Sequence, residues 1–389
     1  MLASLESDAL QPVAAMPSFD KLPNELVLLL AEQIMSEHDL NSLCQVNSRY
    51  YNLINPYLRR FHVDVSRSVV GLSYAVMDNS LTAVRAWLAM DGIHVNGGWD
   101  EPVPLILASR HEDLEIFRLL LAHPQIDPSY NPEEQPCPLA VAARDGNVEA
   151  VRILLSHERI KPSLCDVWGK TPLMCAAGRL QNFEVVKLLL DDGRSDINAT
   201  NDNGVTAMHI AAGVGDRETI MLLWERGADP MARTAVGVTP LGYAVAKHRV
   251  EGVSALLAIP EVNPNTENRH GGCPLLDAVT IDPRVPILKM LLADERIDPN
   301  FHTRGGLPLV TASSMGLHDS MRQLLAHKDI NVNALGCGEL PLCEAIKSTI
   351  WGTTEILLAD HRIDPLAVDG NGHVQSMELQ CSAPTTKAN

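Results

Sequence analysis

Aromatic residues are scarce in this chain: Phe, Trp and Tyr supply 4% of its 389 residues. Sandwiches, barrels and large enzyme cores draw on more aromatic area than this, whereas helical repeats built on small residues do not need it. Positive charge is short as well, with 31 Lys and Arg against 48 Asp and Glu and a net charge of -17. Phosphate binding depends on clustered Lys and Arg, so neither nucleic acid nor a membrane surface is expected as a direct partner. No run approaches the roughly eighteen apolar residues of a membrane span. The start, MLASLESDALQPVAAMPSF, has neither a basic segment nor a continuous apolar core. The expectation is an intracellular protein of the cytoplasm, the nucleus or both. Eight cysteines (44, 137, 165, 175, 273, 337, 343 and 381) include no Cys-x-x-Cys pair, which argues against a zinc site or a disulfide framework. The lone Asn198-Ala199-Thr200 triplet reads as chance in a chain without a signal peptide.

Catalytic patterns are missing too. There is no His-Glu-x-x-His, no Gly-x-Ser-x-Gly, no phosphate-cradling glycine loop and no kinase signature. Cys175 and Cys343 fall among core positions of a repeat and read as small filler. His111, His157, His248 and His361 stand on loops or helix ends at varied registers and suggest no shared metal. The expectation is a protein that is not an enzyme, with no catalytic, cofactor-binding or metal-binding residue.

What is present is a repeat. The stretch from Asp166 to Ala199 contains an Asp-x-x-Gly turn, a Thr-Pro-Leu helix start, an Ala-rich helix, a polar break and a second helix ending in Leu188, Leu189 and Leu190. Gly169 permits the positive φ of a tight turn, and Pro172 in a first helical turn loses no useful donor. The equivalents of Leu173 are Leu72, Leu105, Leu139, Met208, Leu241, Leu275, Leu309 and Leu342, spaced 33 to 35 residues apart in order. Each is followed three residues later by Ala: Ala75, Ala108, Ala142, Ala176, Ala211, Ala244, Ala278, Ala312 and Ala345. Asp, Asn and Pro clusters such as IDPSYN and IDPNFH separate the units as loops. No unit can bury its own apolar face, so the pattern predicts an all-α stack of about nine units, the first and last acting as caps.

This register resembles the ankyrin repeat, with Thr206-Ala207-Met208-His209-Ile210-Ala211-Ala212 and Gly227-Ala228-Asp229 among the residues that carry the likeness. The resemblance implies a solenoid of helix-turn-helix repeats joined by short β-hairpin loops, and a concave strip of hairpin tips and inner-helix edges that holds a protein partner. Only His209 occupies the family's His position, Cys137 and Cys273 replace its Thr, and Glu101 and Gln135 stand where the turn glycine belongs. Distorted hairpin tips are therefore expected in the first two full repeats. Mapped onto the chain, the strip nominates Trp99, Asp100, Glu133, Glu134, Val167, Trp168, Lys170, Asp202, Asn203, Arg269, His270 and Arg304 at tips. It nominates Arg110, Arg144, Arg179 and Lys247 on inner helices. The block of partner-binding candidates is Trp99, Asp100, Arg110, Arg144, Val167, Trp168, Lys170, Arg179, Asp202 and Asn203. Tryptophan is favoured at binding hot spots, and Trp168 is the sharpest of these; the alternative is that it folds onto the neighbouring hairpin. Trp87 and Trp224 fall within outer helices as packing residues.

Ahead of the array, residues 18–63 read as three short amphipathic helices. Leu22-Pro23-x-Glu25-Leu26, followed by Ile34, Asp39-Leu40, Leu43-Cys44, Val46 and Arg49, resembles an F-box. That resemblance implies docking on the adaptor subunit of SCF-type ubiquitin ligases through Leu22, Pro23, Leu26, Leu40, Leu43 and Val46, a pairing of modules common in filamentous fungi. The same residues also read as a helical cap on the stack. The expected layout is a disordered tail over 1–17, the F-box-like segment over 18–63, repeats over 64–369 and a disordered tail over 370–389. Its functional counterpart is an F-box substrate receptor, or a scaffold or transcription co-regulator without a ubiquitin-ligase role.

Overall fold

A computed structural model describes residues 68–90, 93–97, 103–131, 136–281, 286–336, 338–348, 350–364, 366–368 and 370. The F-box-like residues Leu22, Pro23, Leu26, Leu40, Leu43 and Val46 lie outside the described residues, as do Trp99, Asp100, Glu133 and Glu134. So do Glu101 and Gln135, and with them the expected distortion of the first two tips.

All regular secondary structure among the described residues is helical. A first compact unit, residues 1–127, contains the pairs α1 (Ser68–Met77) with α2 (Leu81–Leu88) and α3 (Pro104–Ala108) with α4 (Glu115–Leu121). The second unit begins at Pro128. Its pairs are α5 (Pro138–Asp145) with α6 (Val148–Ser156), α7 (Pro172–Ala177) with α8 (Phe183–Asp191), and α9 (Ala207–Val214) with α10 (Arg217–Glu225). They continue with α11 (Pro240–Ala246) and α12 (Val250–Leu257), α13 (Pro274–Ile281) and α14 (Pro286–Leu292), α15 (Pro308–Met315) and α16 (His318–Ala326), and α17 (Pro341–Lys347) and α18 (Trp351–Leu358). No helix among the described residues is long and apolar enough to cross a membrane.

Inner helices, the first of each pair, start where the chain gives them reason to. Thr171 and Thr239 cap α7 and α11, their hydroxyls accepting from Met174 N at 3.3 Å and Gly242 N at 3.4 Å, each with proline in the first turn. Cys273 substitutes a thiol, Sγ accepting from Leu276 N at 3.4 Å. Within the second unit each inner helix packs on the next and each outer helix on the next. The packing is close because Ala142, Ala176, Ala211, Ala244, Ala278, Ala312 and Ala345 are buried at the contacts, beside buried Leu139, Leu173, Met208, Leu241, Leu275, Leu309 and Leu342. Each such large side chain contributes roughly 2 kcal/mol by leaving water. In the first unit Trp87 is 3% exposed and lies against Gly71, where a side chain would collide with the indole. Trp224 is half-buried on α10.

Of the expected β-hairpins only isolated antiparallel bridges appear among the described residues, Thr303 with Gly306 and Gly336 with Glu339. Other tips are turns closed by two backbone bonds, as in Asp166 N to Lys170 O at 3.0 Å with Gly169 N to Asp166 O at 3.0 Å, and Asn201 N to Val205 O at 3.0 Å with Gly204 N to Asn201 O at 2.8 Å. Arms this short make no ladder, so no strand is present among the described residues. Successive tips are stitched by single bonds, including Asp202 N to Trp168 O at 3.3 Å, Ala235 N to Asn203 O at 2.8 Å and Arg269 N to Val236 O at 2.9 Å.

At the other end of the helices two devices join neighbours. Asn198, Asn265, Asn300 and Asn333 each donate Nδ2 to a carbonyl of the next link and accept one of its amides through Oδ1, as Asn265 does with Arg296 O at 2.7 Å and Asp298 N at 2.9 Å. Arg194, Arg296 and Arg362, each two residues after an Asp that holds it in an ion pair, turn back to carbonyls of the preceding outer helix. Arg296 reaches four: Leu257 O, Ile259 O at 3.0 Å, Pro260 O at 3.3 Å and Val262 O at 3.1 Å. Carbonyls at a helix C-terminus have no partners within the helix, and a guanidinium supplies donors to them.

Candidate functional site

The tips of the second unit are rigid for a local reason. Asp166 Oδ1 accepts Trp168 N at 3.0 Å and Lys170 N at 2.8 Å. One repeat later Asn201 Oδ1 accepts Asn203 N at 3.0 Å and Val205 N at 2.9 Å, and Asn268 Oδ1 does the same for His270 N and Gly272 N. Asp and Asn side chains that accept backbone amides two residues on fix such turns without help from the core. The residues at the apex are therefore held while their side chains stand in solvent.

Val167 is 50% exposed and Trp168 60% exposed. Lys170 Nζ stands 6.0 Å from the centre of the Trp168 ring, at the outer reach of a cation–π contact. Asp202 and Asn203 are exposed at the next tip. On the inner helices Arg144 is exposed, its Nε 3.2 Å from Asp145 Oδ1, and Arg179 is exposed and crosses Gly146, where a methyl would come within 3.2 Å of its Nε. Arg110, in the first unit, is exposed. The second unit thus brings together the apex residues Val167, Trp168 and Lys170, while Arg144 and Arg179 belong to successive repeats and Lys247 stands two repeats further on.

Several nominated residues also hold structural contacts. Arg304 is exposed at its tip and tied to the preceding one: its Nε pairs with Glu267 Oε1 at 3.0 Å, and its guanidinium reaches the carbonyls of Asn268 and Arg269. It bridges two tips, a contact 37 residues long that no local pattern announces. His157 does not stand at a random register. Its Nδ1 accepts Arg159 N at 3.2 Å, as His123 does for Gln125 and His327 for Asp329, so the three imidazoles fasten equivalent turns after outer helices. His111 donates through Nε2 to the Val76 carbonyl, 2.7 Å away, which fixes the proton on that nitrogen. Residues missed in the sequence include Tyr243, whose ring lies over Gly213 with Lys247 Nζ 5.8 Å from its centre. Its place two residues after Leu241 was the available signal. Leu180 and Val236 are exposed apolar side chains on the same unit.

Burial pushes the Cys137 and Cys175 thiols up to about 11, so both are protonated at neutral pH. Cys343 is fully buried. Among the described residues no three His, Cys, Asp or Glu side chains come together as a metal site. Exposed aromatic, aliphatic and cationic groups on fixed tips are instead the chemistry of protein recognition.

Comparison with known proteins agrees with that chemistry. The family model for ankyrin repeats matches three times, over residues 72–162, 105–201 and 181–268, which together span just over half of the 389 residues. The chain is 43% identical over 61 residues to the BTB/POZ domain and ankyrin repeat-containing protein NH5.2 of Oryza sativa subsp. japonica, covering 15% of this chain and 12% of that protein. It is 29% identical over 141 residues to the B-cell lymphoma 3 protein homolog of Mus musculus, covering 35% and 31% of the two chains. Similarity to the putative ankyrin repeat protein YahD of Escherichia coli is 27% over 166 residues, 42% of this chain and 82% of that one. The match therefore spans about an eighth of the rice relative and less than a third of the mouse one. With its period, its helix pairs and this coverage, the chain belongs to the ankyrin-repeat family, whose repeats imply a protein–protein interaction role.

Proposed function

We propose that the chain is a non-enzymatic receptor that links a bound protein to an SCF-type ubiquitin ligase. The repeats, assigned to residues 64–369, hold the protein through Trp99, Asp100, Arg110, Arg144, Val167, Trp168, Lys170, Arg179, Asp202 and Asn203. The F-box-like segment over 18–63 docks the ligase adaptor through Leu22, Pro23, Leu26, Leu40, Leu43 and Val46, and 1–17 and 370–389 are tails. The observation that carries this reading is the order of two modules: Leu22-Pro23-x-Glu25-Leu26 stands ahead of an array with exposed recognition groups.

Binding of the purified adaptor to the full chain tests it. Wild type is expected to bind and Leu26→Asp to lose binding; equal binding by both, or none by wild type, removes the ligase role. A captured protein whose half-life in cells is unchanged when this chain is removed points to the second reading, a scaffold or transcription co-regulator using the same residues. That reading is favoured by the acidic balance of the chain, which leaves proteins rather than nucleic acid as partners.

A further inference from the structure

In the repeat that contains His209, the imidazole fills the space between an inner helix and the tip of the next repeat. Nδ1 lies 2.9 Å from Thr206 Oγ1 and Nε2 lies 3.0 Å from Val238 O, a carbonyl that also accepts Thr234 N at 3.0 Å. One repeat later the equivalent of His209 is Gly242. Thr239 is still there in the place of Thr206, and Gly272 in the place of Val238, its carbonyl accepting Asn268 N at 2.8 Å. The side chain that joined them is missing.

The result is a shallow, solvent-open recess lined among others by Thr239, Gly242, Asn268, Gly272, Cys273 and Asp277. Gly272 keeps it open, since a methyl there would stand 2.7 Å from Asn268 Nδ2 and 3.0 Å from Asp277 Oδ1. Asp277 is half-buried, and no hydrogen-bond donor or cation among the described residues reaches its carboxylate. Three basic residues of this face are engaged elsewhere, Lys247 over Tyr243, Arg304 on Glu267, and Arg233 on the carbonyls of Gly237 and Glu267. A carboxylate taken partly out of water without a donor is costly, and burial raises the Asp277 pKa to about 6. The other partly exposed residues at its register in this unit are Cys175, Ile210, Tyr243, Thr311 and Glu344, so Asp277 marks one repeat out from its immediate neighbours.

We propose that the recess receives the guanidinium or ammonium head of a basic side chain on the bound protein, with Asp277 as its counter-ion and Thr239 Oγ1 and Gly272 O as neutral acceptors. The cation takes the place that the His209 ring holds one repeat earlier, and adds the charge that the carboxylate lacks. The balance of -17 favours basic partner segments at longer range. The inference rests on the reading of this unit as a protein-binding face and names the chemistry of one anchor within it.

The test uses the full chain and small probes, so its outcome is separate from whether any protein partner is captured. Amide spectra are recorded during titration with N-acetyl-arginine amide, N-acetyl-lysine amide and the neutral isostere N-acetyl-citrulline amide. Saturable shifts confined to the amides of Gly242, Gly272, Asp277 and their neighbours are expected for one or both cations, the stronger of the two identifying the anchor. Citrulline is expected to bind about tenfold more weakly or not at all. Asp277→Asn is expected to weaken the cation about tenfold. Gly242→His, which fills the recess while leaving Asp277 in place, is expected to remove the response; melting curves establish that both variants are folded. No saturable shift with either cation, equal shifts with citrulline, or an unchanged response in Asp277→Asn overturns the proposal.

Discussion

The His209 imidazole donates through Nε2 to the carbonyl oxygen of Val238, 3.0 Å away in the next repeat. Its other nitrogen accepts from Thr206, the ring is wholly buried, and burial lowers its pKa below the ordinary 6.5. The unfolded imidazole therefore takes a proton at a pH where the folded one refuses it. Stability from this group is complete above about pH 6.5 and is lost as pH falls. Thermal melts of wild type should drop between about pH 7.5 and about pH 5.5 more than those of His209→Gln, whose side chain does not titrate. Parallel losses in the two proteins would mean that the ring is not held neutral.

Arg296 provides a second stability test. Its guanidinium joins Asp294 to four carbonyls at the end of the preceding outer helix. Lysine keeps the charge but not the planar set of five donors, so Arg296→Lys should cost about 2 kcal/mol in urea unfolding. A change below about 0.5 kcal/mol would reduce the clamp to an ordinary surface ion pair.

Between the inner and outer helices of several repeats the chain passes through a left-handed residue. Glycine takes this position at Gly146, Gly215 and Gly316, but Gln181 has φ 61 and His248 φ 56. Both side chains are exposed, so little packing is lost on removing them. Gln181→Gly and His248→Gly should each raise stability by about 0.5–1 kcal/mol, read as a higher unfolding midpoint at constant slope. A fall in midpoint would show that the side chain, not the backbone, decides the site.

Asp277→Asn should stabilise the free chain at neutral pH. The folded pKa, about 6, stands above the ordinary 3.8, so the ionised carboxylate costs stability above pH 6 and nothing once protonated in both states. The variant's advantage, on the order of 1–2 kcal/mol, should shrink as pH falls toward 4. An advantage independent of pH would trace to packing instead of charge.

Much of the fold was readable because its signals are local. The Leu-to-Ala spacing, Pro172 or Pro240 in a first turn, and Gly169 with φ 71 at a tip each act within a few residues of themselves. The stitching was not readable, because Arg296 finds its carbonyls 34 to 39 residues back and Arg304 finds Glu267 37 residues back, so contact depends on the register between repeats. Short turns and isolated bridges stand in place of the expected hairpins for a similar reason: arm length is set by how tips stack, not by turn residues alone. The place of Trp168 at a tip is a local matter too, since an Asp two positions earlier fixes the turn. The recess escaped notice because it is made by a side chain that is missing. Only alignment of Gly242 with His209 and with Met174 exposes the gap.

The face of the second unit is tested most directly at Trp168. Its ring is 60% exposed and contributes nothing to the core, so Trp168→Ala should leave the melting curve in place. Quantitative affinity purification with mass spectrometry, comparing wild type with Trp168→Ala, should show loss of specific protein partners, and affinity for a purified partner should fall by about 2 kcal/mol. Retention of every partner at unchanged affinity, or a large loss of thermal stability, would contradict the assignment of this tip as the recognition surface.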